Sequence, residues 1–186
     1  MQASADSLLR HVPNGITLLR GWCGPAILAL LMWIGPGTTG FVFWLFLFAM
    51  ATDMVDGWLA RILDARSDAA LFLDPLADKL LTACTWAGLW SIGYAPALLS
   101  LAFVARALFV GFAWAWAAPR GLVWSPRPAG QISLAFEGIA LCVLLFHGPS
   151  LDVHWPTVGA VLGVLSFALS LLPLADYAKA GPEPRS

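Results

Sequence analysis

Six apolar runs set the limits on what this chain can fold into. They cover approximately residues 16–34, 38–56, 75–93, 96–118, 130–147 and 155–175. Each matches the roughly 17–25 residues that a helix needs to cross a hydrocarbon core. In lipid, a single run of that length satisfies its backbone hydrogen bonds only as a helix. The pattern predicts an all-α fold: a polytopic membrane protein with six transmembrane helices. Turn-forming residues mark the breaks, at Gly35-Pro36-Gly37, Gly93-Tyr94-Ala95-Pro96, Pro126-Arg127-Pro128 and Gly148-Pro149. The first twelve residues differ. Leu8, Leu9 and Val12 alternate with Arg10 and His11, which suits a short interfacial helix. A length of 186 residues fits one domain, so 1–186 is read as a single membrane domain, with 1–12 interfacial and about 180–186 a flexible tail.

Composition agrees, with 60% hydrophobic and 11% charged residues. A net charge of −1 leaves no bulk electrostatic basis for binding nucleic acid. Cys23, Cys84 and Cys142 each lie within an apolar run and read as buried thiols, without disulfide or zinc-ligand spacing. The first apolar segment carries Arg20 and Pro25 and lacks an Ala-x-Ala-type exit, so it is expected to be retained. None of the ten basic residues falls near 35–38, 93–96 or 148–154, whereas the termini and the connections near 57–73 and 119–129 hold several. The positive-inside tendency then places both termini on the cytoplasmic side of the inner membrane. Trp33, Trp90 and Trp155 mark the outer interface, and Trp58 and Trp124 the inner one.

Against this apolar background, Asp53, Asp56, Asp74 and Asp78 stand out in a chain with only 11 acidic residues. Carboxylates beside a bilayer are costly and argue for a task. On helices, spacings of three (53, 56) and four (74, 78) put each pair on one face. Two such pairs facing each other repel unless cations fill the space between them. Oxygen-only ligands suit Mg²⁺, Mn²⁺ or Ca²⁺. Gly57 lets a ligand approach the backbone, Ala60 is similarly small, and Arg61 offers a planar donor for phosphate oxygens. Asp74-Pro75 is expected to open the third helix, with Pro75 in its first turn. Such a pocket meets the needs of phosphoryl chemistry, with metals offsetting phosphate charge and a spare carboxylate taking a proton. The blander reading makes each aspartate a helix cap or half of a solvated salt bridge. That serves for any one of them and poorly for all four together.

The string Asp53-x-x-Asp56-Gly57-x-x-Ala60-Arg61, eight residues, Ala70, three residues, Asp74-x-x-x-Asp78 resembles the signature of the CDP-alcohol phosphotransferases. The six-span layout extends the resemblance over essentially the whole chain. One position departs: Ala70 stands where the family signature has a second glycine. The resemblance implies that Asp53, Asp56 and Asp74 hold two Mg²⁺ or Mn²⁺ ions. Asp78 completes the centre and serves as the catalytic base. It further implies that Gly57, Ala60, Arg61 and Ser67 contact the CDP group, together with Asn14 and Thr17 of Pro13-Asn14-x-x-Thr17-x-x-Arg20. A homodimer is implied as well.

The expected reaction is metal-dependent transfer of a phosphatidyl group from CDP-diacylglycerol to an alcohol, releasing CMP. The stretch Leu73-Asp74-Pro75-Leu76-Ala77-Asp78-Lys79 and the later Asp176-Tyr177 resemble the phosphatidylglycerophosphate synthases and the cardiolipin synthases. Glycerol 3-phosphate is therefore the expected acceptor, with phosphatidylglycerol or another polar alcohol as the alternative. Two features fit less well. Arg106 is followed by Ala107 rather than an acidic residue, and Gly130-Gln131-Ile132-Ser133-Leu134 lacks both lysines of a Gly-Lys-x-Lys-Thr element. Arg106, Arg120 and Arg127 are the candidate cations for the acceptor. Glu137 either binds acceptor or pairs with Arg106. Lys79 reads as a counter-charge or an interfacial anchor. A cation transporter is the competing class, but the carboxylates lie at one membrane face and no repeat is visible.

Overall fold

The computed structural model describes residues 19–63, 68–117, 120, 122–123, 128–146, 155–180 and 183–184; side chains are described for 19–52, 76–113, 115–116, 120, 132–146 and 155–171. Six α-helices form the described fold: α1 (19–33), α2 (Thr39–Leu63), α3 (Asp68–Ser91), α4 (Ala97–Ala117), α5 (Pro128–Leu145) and α6 (Trp155–Ala180). A 3₁₀ turn, Pro36–Thr38, joins α1 to α2. A ladder the apolar pattern did not announce pairs β1 (Leu122–Val123) antiparallel with β2 (Glu183–Pro184), setting Leu122 opposite Pro184.

Two of the expected breaks are explained by backbone geometry. Gly35 and Gly93 have φ of 83° and 77°, a region that costs glycine nothing and an L side chain a good deal. At the end of α3, the Gly93 amide donates to the Trp90 carbonyl and the Tyr94 amide to the Leu89 carbonyl. These two bonds form a Schellman-type cap that satisfies otherwise orphaned carbonyls.

Two boundaries differ from expectation, and both differences bear on the carboxylates. α2 does not stop at Asp56 but runs on to Leu63. α3 does not open at Asp74-Pro75 but begins at Asp68, so Pro75 is its eighth residue. Ala69, Ala70 and Leu71 are strong helix formers and carry the helix upstream of the proline. An interior proline costs one backbone hydrogen bond, which a long helix tolerates.

The core is built where helices touch closely. α5 packs most extensively on α6, and α3 on α4. Trp86 of α3 stacks on Phe103 of α4 with ring centroids 4.5 Å apart, and Phe103 meets Phe167 of α6 edge-on. Between α5 and α6, the Ser133 hydroxyl donates to the Ser166 carbonyl and the Ser166 hydroxyl to the Ser133 carbonyl. Glycine makes the closest of these contacts possible. A Cβ on Gly159 would lie 2.5 Å from Leu144 Cγ, and one on Gly163 would lie 2.8 Å from the Trp86 ring.

Polarity runs outward in reverse of a water-soluble domain. Trp33 is 86% exposed and Leu98 82%, while Trp22, Trp44, Leu108 and Phe112 are also exposed. Arg20, Glu137, Thr85, Ser133 and Ser166 are buried. Among the described residues, no helix is long and apolar enough to cross a membrane. Cys23 is buried, Cys84 and Cys142 are half-buried, and all three are free thiols.

The α5–α6 contact yields the first prediction. Gly159→Val forces two branched methyls into the space held by Leu144, an overpacking that typically costs about 1–3 kcal/mol. Thermal unfolding of the purified variant should show a lowered midpoint. An unchanged midpoint would mean that the two helices separate at this point.

Candidate active site

Continuation of α2 through Leu63 places the first half of the motif on one unbroken helix. Asp53, Asp56, Gly57, Ala60 and Arg61 follow one another at intervals of three, one, three and one residues. These are the i, i+3, i+4, i+7 and i+8 positions of a single helical stripe. The upstream start of α3 does the same for the second half. Ala70, Asp74 and Asp78 recur at every fourth residue and share one face of α3. The linear signature is thus two helical stripes. Ser67, Asn14, Thr17 and Arg127 lie outside the described residues, as do the side chains of Asp53, Asp56, Gly57, Ala60, Arg61 and Asp74. Among the described residues, no group of three or more His, Cys, Asp or Glu side chains comes together.

Asp78 is half-buried on α3. Its Oδ1 lies 3.2 Å from Nε of Arg20 on α1, and the Arg20 side chain is only 1% exposed. Small residues bring the two helices together at this level. Gly21 faces Ala77, and a Cβ on Gly24 would lie 3.0 Å from the Leu80 carbonyl oxygen. Gly24 is one turn after Arg20, so backbone contact at Gly24 delivers the guanidinium to Asp78. The guanidinium offsets the carboxylate's charge and holds its orientation. Sequence reasoning left Arg20 out of the site. Its signal was there, as an arginine inside an apolar run where an unpaired charge is costly.

A second ion pair lies deeper in the bundle. Nη2 of Arg106 on α4 donates to Oε2 of Glu137 on α5. Glu137 is 1% exposed, and the guanidinium also sits over the Phe103 ring, 5.3 Å from its centroid. The two readings left open for Glu137 meet here: it pairs with Arg106, and both are interior. Lys79 is the residue after Asp78 on α3. It is half-buried rather than an exposed anchor. Arg120, by contrast, is exposed, stacks 4.2 Å from the centroid of the Trp116 ring and donates to the Trp116 carbonyl. That arrangement suits an interfacial residue better than an acceptor ligand.

Two carboxylate-bearing helical stripes and two interior ion pairs mark the class: a helical protein with charge held in its interior. Residues 10–172 match the family model of CDP-alcohol phosphatidyltransferase, and the chain belongs to that family of transferases. It is 28% identical to a CDP-diacylglycerol–glycerol-3-phosphate 3-phosphatidyltransferase of Pseudomonas fluorescens, over 91% of this chain and 89% of the relative. It is 34% identical to the enzyme of that name from Bacillus subtilis, over 66% of this chain and 64% of the relative. A cardiolipin synthase (CMP-forming) of Oryza sativa subsp. japonica is 34% identical over 41% of this chain and 23% of the relative.

The interior ion pair gives a second prediction. Arg106→Leu leaves Glu137 charged and unpaired in the bundle and should destabilise by about 3–5 kcal/mol. Adding Glu137→Leu should restore most of that stability while leaving activity low. Denaturant unfolding and CMP-release rates of the single and double variants check it. A neutral single variant would show that the pair contributes nothing to folding.

Proposed function

We propose that this protein transfers the phosphatidyl group of CDP-diacylglycerol to glycerol 3-phosphate, giving phosphatidylglycerophosphate and CMP. The signature carries the reading, with its residues on two helical stripes in a chain of this family. The names of the relatives from Pseudomonas fluorescens and Bacillus subtilis support this acceptor. Phosphatidylglycerol is the alternative acceptor, favoured by the shorter match to a cardiolipin synthase.

In this reading Asp53, Asp56, Asp74 and Asp78 would hold two Mg²⁺ or Mn²⁺ ions. The donors are all carboxylate oxygens, the set that hard divalent cations prefer. When bound, such ions offset the charge of the pyrophosphate and of the departing CMP. Arg61, with Gly57 and Ala60 on the same stripe, would contact the nucleotide of the donor, as would Asn14, Thr17 and Ser67. The acceptor hydroxyl attacks the phosphorus that carries diacylglycerol. A new P–O bond forms, the bond to the CMP phosphate breaks, and the hydroxyl proton passes to Asp78. Arg20 keeps the Asp78 carboxylate in place for that transfer. Arg106 and Glu137 belong to the acceptor side, and Arg127 is a further candidate there.

The lipid donor implies a membrane, and the exposed apolar surface supports one. Large side chains such as Trp22, Trp33, Leu98 and Phe112 face outward while Arg20 and Glu137 are buried. An apolar groove of about 380 Å³ between α2 and α5 is lined by Leu47, Met50, Gly138, Ile139 and Cys142. Met50 precedes Asp53 by three residues, so an acyl chain could run along this groove from a donor headgroup held at the motif. We place the six helices across the inner membrane, with both termini and the carboxylates on the cytoplasmic side. The family resemblance extends the reading to a homodimer.

The decisive experiment supplies CDP-diacylglycerol, Mg²⁺ and a panel of alcohols, then measures CMP release and product masses. Glycerol 3-phosphate should be consumed and phosphatidylglycerophosphate formed. Chelator should abolish turnover, and Mg²⁺ or Mn²⁺ should restore it. Phosphatidylglycerol as the sole productive acceptor would reassign the protein to cardiolipin synthesis.

A further prediction separates the carboxylates. Asp78→Asn should lower turnover by about 10²–10⁴-fold, the usual contribution of a general base, while donor binding is kept. Asp53→Asn should weaken donor binding as well. Loss of donor binding in both variants would make Asp78 chiefly a metal ligand.

A further inference from the structure

The apolar groove between α2 and α5 has a floor. The two helices run antiparallel along it. A Cβ on Gly138 would lie 3.1 Å from Met50 Cε, and further along Phe43 meets Phe146 with ring centroids 5.5 Å apart. Phe146 in turn meets Trp155 of α6 edge-on, with centroids 6.2 Å apart. One ring from each wall, backed by an indole, thus closes this end. Three residues back from Gly138 along α5 and three forward from Met50 along α2 set Ala135, at the groove's other end, level with Asp53. The groove therefore begins at the signature and ends on aromatic rings.

Its dimensions select the occupant. From Ala135 to Phe146, α5 rises about 16 Å. That is the depth of one leaflet of a roughly 30 Å hydrocarbon core. A volume of about 380 Å³ spread over that length leaves a cross-section of about 24 Å². One extended hydrocarbon chain fits such a slot, whereas a helix of a second protein, about 10 Å across, does not. Leu47 and Ile139, on opposite walls, are both exposed, so the slot opens sideways and a chain can enter along its length.

We propose that Phe43 and Phe146, backed by Trp155, set the length of acyl chain that the lipid donor can carry. A chain of one leaflet's depth ends against the rings, and a longer one must displace them or fold back. This rests on the phosphatidyltransferase reading and adds a specificity that the headgroup chemistry does not supply.

The test is competition among dilauroyl, dipalmitoyl and diarachidoyl CDP-diacylglycerol in one detergent mixture, with Mg²⁺ and glycerol 3-phosphate and with products read by mass. Product ratios report relative kcat/KM and cancel any general loss of activity. Overrunning the floor is a form of overpacking, whose usual cost corresponds to about 5- to 100-fold in rate. Wild-type protein should favour the dipalmitoyl over the diarachidoyl donor by that factor. Phe43→Ala and Phe146→Ala should each raise the diarachidoyl share by at least about fivefold. Ile139→Trp narrows the slot partway along, at an exposed position, and should shift the ratio the other way, toward the dilauroyl donor. Unchanged ratios in the two alanine variants would make the rings merely structural and overturn the proposal. So would a wild-type protein indifferent to chain length. If wild-type protein converts none of the donors, the functional reading itself fails, and the proposal falls with it.

Discussion

Charge inside an apolar bundle is the constraint on which this structure turns. The chain carries few ionisable residues, and several of them lie in the interior, where an uncompensated charge is expensive. The fold meets that expense by pairing across helices. Arg20 of α1 reaches Asp78 of α3, and Arg106 of α4 reaches Glu137 of α5. The first pair ties together helices that are not neighbours in the chain and the second a consecutive pair, so the electrostatics and the helix arrangement depend on one another. Buried ion pairs are seldom the cheapest way to stabilise a core, since hydrophobic residues of similar size often do as well. Here the first of them holds in place a carboxylate of the signature.

Glycine and alanine supply the geometry that these pairs need. Arg20 meets Asp78 because Gly21 and Gly24 let α1 lie against Ala77 and the Leu80–Leu81 backbone. Gly163 admits the edge of Trp86, whose face stacks on Phe103, and Phe103 in turn lies beneath the Arg106 guanidinium. Packing and charge placement therefore form one continuous set of contacts from α6 through α3 to α4. Removing a methyl-sized space at one point shifts a charged group at another.

Much of this was legible in the chain itself. The number of helices and the turns at Gly35 and Gly93 followed from apolar run length and punctuation. The possible partnership of Arg106 with Glu137 was legible from their depth. What escaped were features set by tertiary contact. Hydropathy ended α2 at the first charged residues, whereas the helix continues past them to Leu63. Pro75 looked like a helix start because prolines favour first turns. Ala69-Ala70-Leu71 override that preference by extending the helix upstream. Arg20 was left out of the site, and Lys79 was read as either a counter-charge or an anchor, because a basic residue near an apolar run fits both descriptions. Only the approach of other helices distinguishes an anchor from a member of the site.

The two stripes carry a consequence for the spacing of the signature. On α2 its five positions follow one another at helical intervals, and on α3 Ala70, Asp74 and Asp78 do the same. Adding or deleting one residue inside either half rotates everything beyond it by about 100° and slides it by about 1.5 Å along the axis. Asp56 and Arg61 would then face different neighbours although every side chain was still present. Substitution at a signature position removes one group, but a single-residue indel takes apart the whole face. The intervals are thus as much a part of the signature as the aspartates.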